Sequence, residues 1–408
     1  MTNLEIKKNH WITLANEGKV TVSEAAEALG LSTRQIKRLK KGVKEKGVEA
    51  IIHGNRSKVS PKATPETIKE YLIQLKLSDK YKDANFTHFL ELVKEYECPE
   101  LAISYPNLCN IMKEAKISSP KKHKKMLKHH RRKPKEKEGL MLQIDGSPHD
   151  WLGIGIKTCI QGAIDDATGK ITGLYMTNNE CLEGYFEVFR QTINNFGVPS
   201  SVYSDRHLII HPTKVLSIED QLQGKPANES QFSRAMHELN IRLIRAYSAQ
   251  AKGKIENLWG TLQSRLVIEF KLKNIKTIEQ ANKFLKKFIP RFNKQFAKKP
   301  VSDASAFTPL PSYFNLDYCL CVKESRTLDS GCSFSLYNNI FNVLDNKFSP
   351  KSKINILISK RIGILAQFNN IISKVELISK GSSNTCTSIV SSIVDDVCLT
   401  SIKKDKAC

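Results

Sequence analysis

Three acidic residues stand where an ionised side chain is costly. Asp145 interrupts the apolar run LMLQIDGS, Asp205 closes the short run SVYSD, and Glu256 borders the apolar stripe of AKGKIENLWGTLQSRL. A carboxylate on a buried strand must be compensated by a partner or a metal ion. A metal-binding carboxylate cluster accounts for all three placements together. Taken singly, each has a plainer reading: a turn Asp, a strand-end Asp and a solvated helix Glu. The chain offers no Ser/His/Asp or Cys/His arrangement, so no protein nucleophile competes for the chemistry. Its ten cysteines include no pair of C-x-x-C units and no C-x-x-C with a matching His pair, which a structural zinc site needs. They read as reduced, partly buried thiols.

Other polar residues near the three acids have structural readings beside functional ones. Asp165 and Asp166 precede Ala167-Thr168-Gly169 and fit a β-turn. Asp150 could support the first strand, Glu183 reads as solvated, and Arg206 and His207 could meet phosphate or shape a loop. Lys252, Lys254 and Arg265 are candidates for phosphate contacts, or a solvated helix face.

The elements that must position these acids follow from periodicity. LMLQIDGS, CIQGAID and KITGLYMT read as a three-stranded antiparallel meander. CLEGYFEVFRQTINNFG is a helix with Leu182, Phe186, Phe189, Ile193 and Phe196 on one face, closed by Gly197. SVYSD is a fourth strand, QFSRAMHELN a helix and IRLIRA a fifth strand. AKGKIENLWGTLQSRLVIEF reads as one long helix with the stripe Ile255, Leu258, Trp259, Leu262 and Leu266.

The N-terminal third is helical. In TVSEAAEALGLSTRQIKRLKK, Val22, Ala25, Ala26 and Leu29 form an apolar face, Gly30 supplies a turn, and Ser32 caps a second helix carrying Ile36 and Leu39. Its exposed positions are Thr33, Arg34, Gln35, Lys37, Arg38 and Lys41. This is the layout of a helix-turn-helix, whose second helix enters the major groove; a helical hairpin with a solvated basic face is the plainer alternative. TPETIKEYLIQLKL, THFLELVKEYE and SYPNLCNIMKEAKI form a second helical unit, the last capped by Ser104 and bearing Leu108, Ile111 and Met112. From Lys121 to Lys137 the chain carries ten Lys or Arg against one Glu, a like-charged block that reads as a solvated linker. Beyond Pro300, strand-like runs surround CLCVKE and FSLYNNIFNVL, and the Ser-rich last forty residues lose clear periodicity.

The expected architecture is therefore multidomain. A helix-turn-helix domain spans 1–58, a second helical DNA-binding unit 59–118 and a basic linker 119–138. A central α/β catalytic core spans 139–299, a small β-rich region 300–370 and an irregular tail 371–408. The balance of 64 Lys plus Arg against 41 Asp plus Glu, a net +23, points to a polyanionic partner. Hydrophobic residues at 40% support folded cores and exclude wholesale disorder. No apolar run approaches the roughly 20 residues that span a bilayer. The N-terminus lacks a signal-peptide stretch, so a cytoplasmic, nucleoid-associated protein is expected.

QIDGSPHDW, GAIDDATG, EGYFEVF, YSDRH, AMHELNIRLIRAYSAQAKGKIENLWGTLQSRL and ANKFLKKFIPRFNKQFA, in that order, resemble ISNCY-type insertion-sequence transposases. These are members of the DDE superfamily with a retroviral-integrase-like catalytic core. The resemblance covers roughly residues 15–345 and includes SKVSPKATPETIKEYL. It implies an RNase H-like fold: a five-stranded mixed sheet flanked by helices. It also implies a catalytic and metal-holding triad at Asp145, Asp205 and Glu256, with DNA contacts at Arg34, Gln35, Lys37, Arg38, Lys41, Lys252 and Lys254. Two Mg²⁺ ions, or Mn²⁺ in their place, would then serve 3′-end cleavage and strand transfer on double-stranded DNA. A homo-oligomer assembled on DNA is expected, because two ends are joined. The chain departs from the family in a longer loop between Asp205 and Glu256 and in its ending from about Ile371. The competing expectation is a DNA-binding regulator, inactive or domesticated, that keeps the fold without strand transfer. An RNase H-type nuclease on RNA–DNA hybrids is disfavoured by the N-terminal DNA-reading unit.

Overall fold

The computed structural model describes residues 2–52, 63–120, 133–205, 209–210, 229–245, 252–369 and 371–379. Arg206, His207, most of the basic linker and the last 29 positions of the tail lie outside these residues. The chain forms two compact units, Met1–Leu72 and Ile73–Cys408.

The first unit is built from α1 (Asn3–Asn16), α2 (Val22–Leu29) and α3 (Thr33–Lys46). Each helix opens on a reciprocal cap, in which a hydroxyl accepts from the third-residue N–H and that residue's side chain accepts from the cap's own N–H. The pairs are Thr2 with Glu5, Thr21 with Glu24, and Ser32 with Gln35. Gly30 ends α2 at φ +64°, a left-handed conformation in which a side chain is strained. That turn lets Ile36 of α3 meet Ala25 and Ala26 of α2 and Ile12 and Ala15 of α1, with Val22, Leu29 and Leu39 packed around them. Thr33, Arg34, Gln35, Lys37, Arg38 and Lys41 are all exposed. The helix-turn-helix expectation holds down to its cap.

In the second unit a five-stranded mixed sheet has the order β3-β2-β1-β4-β5. Its strands are β1 (Leu142–His149), β2 (Thr158–Asp165), β3 (Ile171–Thr177), β4 (Ser201–Ser204) and β5 (Arg242–Arg245). The first three are antiparallel, whereas β4 runs parallel to both β1 and β5. One face packs on α7 (Leu182–Asn195) and α8 (Gln231–Glu238) through Leu142, Ile144, Phe186, Phe189 and Phe232. The other packs on α9 (Gly253–Gln263), α10 (Leu266–Leu272) and α11 (Ile278–Phe296) through Ile160, Leu174, Leu258, Trp259 and Phe288.

The single long helix expected over 251–270 is two helices. Ser264 Oγ donates to the Thr261 carbonyl at 2.8 Å, and the Arg265 N–H bonds to Leu262 O at 3.0 Å, a tightened turn that ends α9. The break aims the Arg265 guanidinium at Glu91, with bonds of 2.5 and 3.2 Å. Arg265 also lies over the Phe296 ring at 4.9 Å. Its candidacy for a phosphate contact is thus replaced by a buried structural pairing.

The edge strand β3 is not left open. Asn282 of α11 pairs with both the N–H and C=O of Met176 (2.8 and 3.0 Å), and Asn293 does the same for Ile171 (2.8 and 2.8 Å). Gln191 of α7 pairs with Leu174 (3.1 and 2.9 Å). Three side-chain amides stand in for a sixth strand and remove an aggregation-prone edge.

The second helical segment comprises α4 (Glu66–Leu77), within which the division between the units falls, α5 (Phe86–Leu92), continued by one π-helical turn, and α6 (Tyr105–Glu114). Ser104 caps α6, and Leu108, Ile111 and Met112 are buried as the periodicity required. Residues of α5 and its extension meet α10 and α11: His88 faces Glu269 at 3.6 Å, and Glu95 pairs with Arg291 at 2.9 Å.

Toward the C-terminus six antiparallel strands form a second sheet, ordered β6-β9-β10-β11-β8-β7. They are β6 (Val322–Thr327), β7 (Ser333–Leu336), β8 (Asn339–Val343), β9 (Lys353–Ser359), β10 (Gly363–Phe368) and β11 (Ile371–Ser379). Tyr337 and Asn338, both at positive φ, make the tight β7–β8 turn. The strand β11 occupies the start of the segment expected to be irregular from 371. Residues before β6 depart from the expected grouping too: Phe307, Leu310, Leu316 and Leu320 pack into the core around α7 and α8. Among the described residues no helix is long and apolar enough to cross a membrane.

Candidate active site

The polar side of β1 faces α9. Gln143, Asp145 and Ser147 alternate with the buried Leu142 and Ile144, so all three point to one face. Gln143 Oε1 accepts from the Ile255 N–H at 3.2 Å, Asp145 Oδ2 from Trp259 Nε1 at 3.2 Å, and Ser147 Oγ from Gln263 Nε2 at 3.2 Å. Two strand residues advance about 6.6 Å and four helix residues about 6.0 Å. Strand and helix therefore stay in step over three successive contacts.

The register places the second aspartate. In the parallel β1–β4 pair, Gln143 stands opposite Tyr203. Two residues onward come Asp145, still within β1, and Asp205, immediately past the carboxyl end of β4. Crevices at the carboxyl ends of parallel strands, where the topology changes direction, are where α/β sheets bind ligands.

Between the two aspartates lies the Lys252 ammonium, 2.7 Å from Asp145 Oδ1 and 3.2 Å from Asp205 Oδ2. Burial alone would lower the Lys252 pKa, but the two carboxylates more than offset it, so the value lies above the usual one. Lys252 immediately precedes α9, and its side chain is only 8% exposed. Glu256 follows one turn later and Trp259 after that, so Glu256 shares the face carrying Lys252 and Trp259. Its side chain is exposed. Among the described residues no three His, Cys, Asp or Glu side chains are gathered closely enough to hold a metal. The two aspartates converge on one cation, Lys252, and Glu256 lies one turn further along α9 with its side chain exposed.

Glycines make room for the partners. A Cβ at Gly162, which pairs with Asp145, would lie 2.8 Å from the Trp259 ring, so the missing side chain lets the indole reach the carboxylate. A Cβ at Gly146 would lie 2.6 Å from the Glu180 carboxyl carbon. Glu180 thus lies over the strand next to Asp145 and accepts a 2.5 Å hydrogen bond from Tyr185. Burial first, then the charges of Glu180, Asp145 and Asp205, hold the Tyr185 phenol well above its usual pKa.

The neighbouring acids are structural. Asp165 accepts from Gly139 N–H (2.9 Å) and from Thr168 N–H and Oγ1 (2.8 and 2.7 Å), locking the β2–β3 turn. Burial raises its pKa, against the lowering effect of those bonds. Asp166 accepts from Gln143 Nε2 and the Lys135 N–H, both at 2.8 Å, while Lys254 Nζ donates to its backbone carbonyl. The start of α9 is therefore fastened twice to the β2–β3 turn, through Gln143 and through Lys254. Asp150 accepts from Ile154 and Gly155 N–H and shapes the β1–β2 loop. Glu183 pairs with Lys360 at 2.8 Å. On α3, the Gln35 side chain is engaged with Ser32, whereas Arg34, Lys37, Arg38 and Lys41 extend outward.

Gln143, Trp259 as a donor, and Glu180 were not singled out from the sequence as site residues. Gln143 had a signal, being polar in an apolar strand two residues before Asp145. Glu180 had none, because its place depends on the turn after β3.

Comparison with known proteins decides the family. The transposase for insertion sequence IS1202 of Streptococcus pneumoniae is 33% identical over 369 residues, spanning 83% of this chain and 77% of that one. The chain belongs to the insertion-sequence transposases. A transposase-named protein of Sinorhizobium fredii, y4bF, is 31% identical over 82% of this chain and 72% of its own length. A winged helix-turn-helix family model matches residues 10–69, the segment containing α2 and α3. Among solved structures, the simian T-cell lymphotropic virus intasome in complex with PP2A regulatory subunit B56 gamma aligns over 78% of this chain and 100% of that one. At 12% identity and a TM-score of 0.32, that alignment carries no weight for the fold.

Proposed function

We propose that this transposase binds the terminal repeats of its element, cuts their 3′ ends and joins them to target DNA, using Asp145, Asp205 and Glu256. The observation that carries the reading is the convergence of Asp145 and Asp205 on one cation, Lys252, at 2.7 and 3.2 Å. The sheet order and its antiparallel-then-parallel pairing support an RNase H-like core.

The donor set suits a hard divalent ion: carboxylate oxygens, no thiolate and no imidazole. The Lys252 ammonium already sits where two of those carboxylates meet a positive charge. Asp145, Asp205 and Glu256 are the residues that would hold Mg²⁺, or Mn²⁺ in its place. A bound pair would supply Lewis-acid stabilisation of the attacking and leaving oxygens in an in-line phosphoryl displacement.

The remaining work belongs to the chain. The Trp259 N–H orients Asp145, and Gln143 and Lys254 hold the start of α9 so that Glu256 keeps its place along β1. Arg34, Gln35, Lys37, Arg38 and Lys41 present a basic helix of a size that fits the major groove. Of the two lysines beside the site, Lys252 is the one that could be released to backbone phosphate, whereas Lys254 is engaged with the Asp166 carbonyl. Joining two ends calls for two copies on one DNA assembly.

The test is to incubate the full chain with duplex oligonucleotides carrying the element's ends and Mg²⁺. Nicking at the 3′ ends followed by joining is expected. Tight, specific binding with no cleavage overturns the enzyme reading and returns that of a DNA-binding regulator. Cleavage of RNA–DNA hybrids alone overturns both.

A further inference from the structure

We propose that Lys252 is a built-in counter-ion that holds Asp145 and Asp205 together until a divalent ion arrives, and that its displacement by that ion frees it for DNA phosphate. The inference rests on reading the two aspartates as metal-holding residues.

The geometry is specific. One ammonium spans both carboxylates, at 2.7 and 3.2 Å, from a side chain that is 8% exposed. Two carboxylates converging on one point with no cation between them would repel each other. The effect is greatest at Asp145, which is 19% exposed, and less at Asp205, which is 47% exposed and partly screened by water. Lys252 removes that repulsion. The same placement bars a divalent ion from the same oxygens, because a cation coordinated there would lie against the ammonium. Metal binding and withdrawal of Lys252 are then one exchange, in which a monovalent charge leaves and a divalent one enters.

The withdrawn lysine has somewhere to go. It lies at the start of α9, one turn before the exposed Glu256, beside the carboxylates that a phosphodiester would approach in the proposed reaction. A cation that leaves two carboxylates beside an incoming polyanion gains a new partner, and each such phosphate contact adds salt-dependent affinity. Metal and DNA would therefore each strengthen the binding of the other, since both favour the state in which Lys252 is released. The trigger is occupancy by a metal ion, not a change in the protonation of Lys252.

Binding of Mn²⁺ to the full chain without DNA, followed by electron paramagnetic resonance of the free ion, tests this. Lys252→Gln is expected to bind Mn²⁺ at least tenfold more tightly than the parent, whereas Lys252→Arg, which keeps the charge, stays near the parent. Asp145→Asn should weaken binding in every background. A second readout needs no variant: acetylation of Lys252, read by mass spectrometry on the parent chain, should rise several-fold when Mn²⁺ is added. Equal affinities for parent and Lys252→Gln, or acetylation unaffected by bound Mn²⁺, overturn the exchange while leaving the carboxylate reading intact. Absence of Mn²⁺ binding, or binding indifferent to Asp145→Asn, overturns the carboxylate reading and the exchange with it.

Discussion

The indole N–H of Trp259 donates to Asp145 Oδ2 at 3.2 Å, across the gap that Gly162 leaves in β2. A residue whose spacing marks it as helix core is also the one that orients a catalytic candidate. Trp259→Phe keeps an aromatic ring and removes the donor. It should cost about 1 to 3 kcal/mol of stability, since the acceptor is charged, and lower DNA cleavage more than DNA binding. Urea denaturation and an end-cleavage assay on the same protein check both parts.

Gln143 ties three elements with one side chain, accepting from Ile255 N–H and donating to Asp166. Gln143→Leu has similar bulk and leaves both partners buried without it. A loss of about 2 to 4 kcal/mol is expected, the sum of two partly compensated groups. Because α9 then loses a fastening near its start, cleavage should fall even where the protein remains folded. Chemical denaturation, with activity measured well below the transition, separates the two effects.

The amides along β3 predict a solubility effect larger than the stability effect. Asn282→Ala together with Asn293→Ala strips the pairing from Met176 and Ile171 and opens a strand edge to other chains. Concentration-dependent light scattering should rise in the double variant, while far-ultraviolet circular dichroism stays close to the parent. Unchanged scattering would show that the edge is covered by other means.

Acid should loosen the contact between α5 and α10–α11. Burial would raise the Glu269 pKa, but His88 and Arg291 more than offset it and hold the value below the ordinary 4.5. A carboxylate depressed by folding contributes its full stabilisation above its unfolded value and loses it as pH falls through the folded one. Melting temperature should therefore drop as pH falls below about 4.5, and Glu269→Gln should flatten that limb. Parallel acid limbs in the two proteins would remove Glu269 as the cause.

Much of this was legible before any coordinates. Asp145 and Asp205 stood out because a charge in an apolar strand demands compensation, and α2 and α3 because cap, stripe and Gly turn agreed. What could not be read was which polar groups would meet across the fold. A 3.6-residue stripe tells which side of α9 is buried, but not that Lys252 reaches an aspartate 107 residues earlier. The break between α9 and α10 was hidden because the apolar stripe runs straight through it. The cause is a local hydroxyl bond at Ser264, together with a distant ion pair that helps hold Arg265 in place. The strand β11 was missed because polar Ser373 lies on its buried side while apolar Ile378 is exposed on the other, which blurs the alternation that marks a strand.

The central claim is that the carboxylates beside β1 carry chemistry, separate from the DNA grip supplied by α3. The most direct measurement is 3′-end cleavage and end-DNA affinity, determined side by side for the parent and for Asp145→Asn, Asp205→Asn and Glu256→Gln. Each variant should lose cleavage by at least a thousandfold in Mg²⁺ while binding end DNA within a few-fold of the parent. Cleavage that survives any one of these substitutions at near-parent rates would contradict the account.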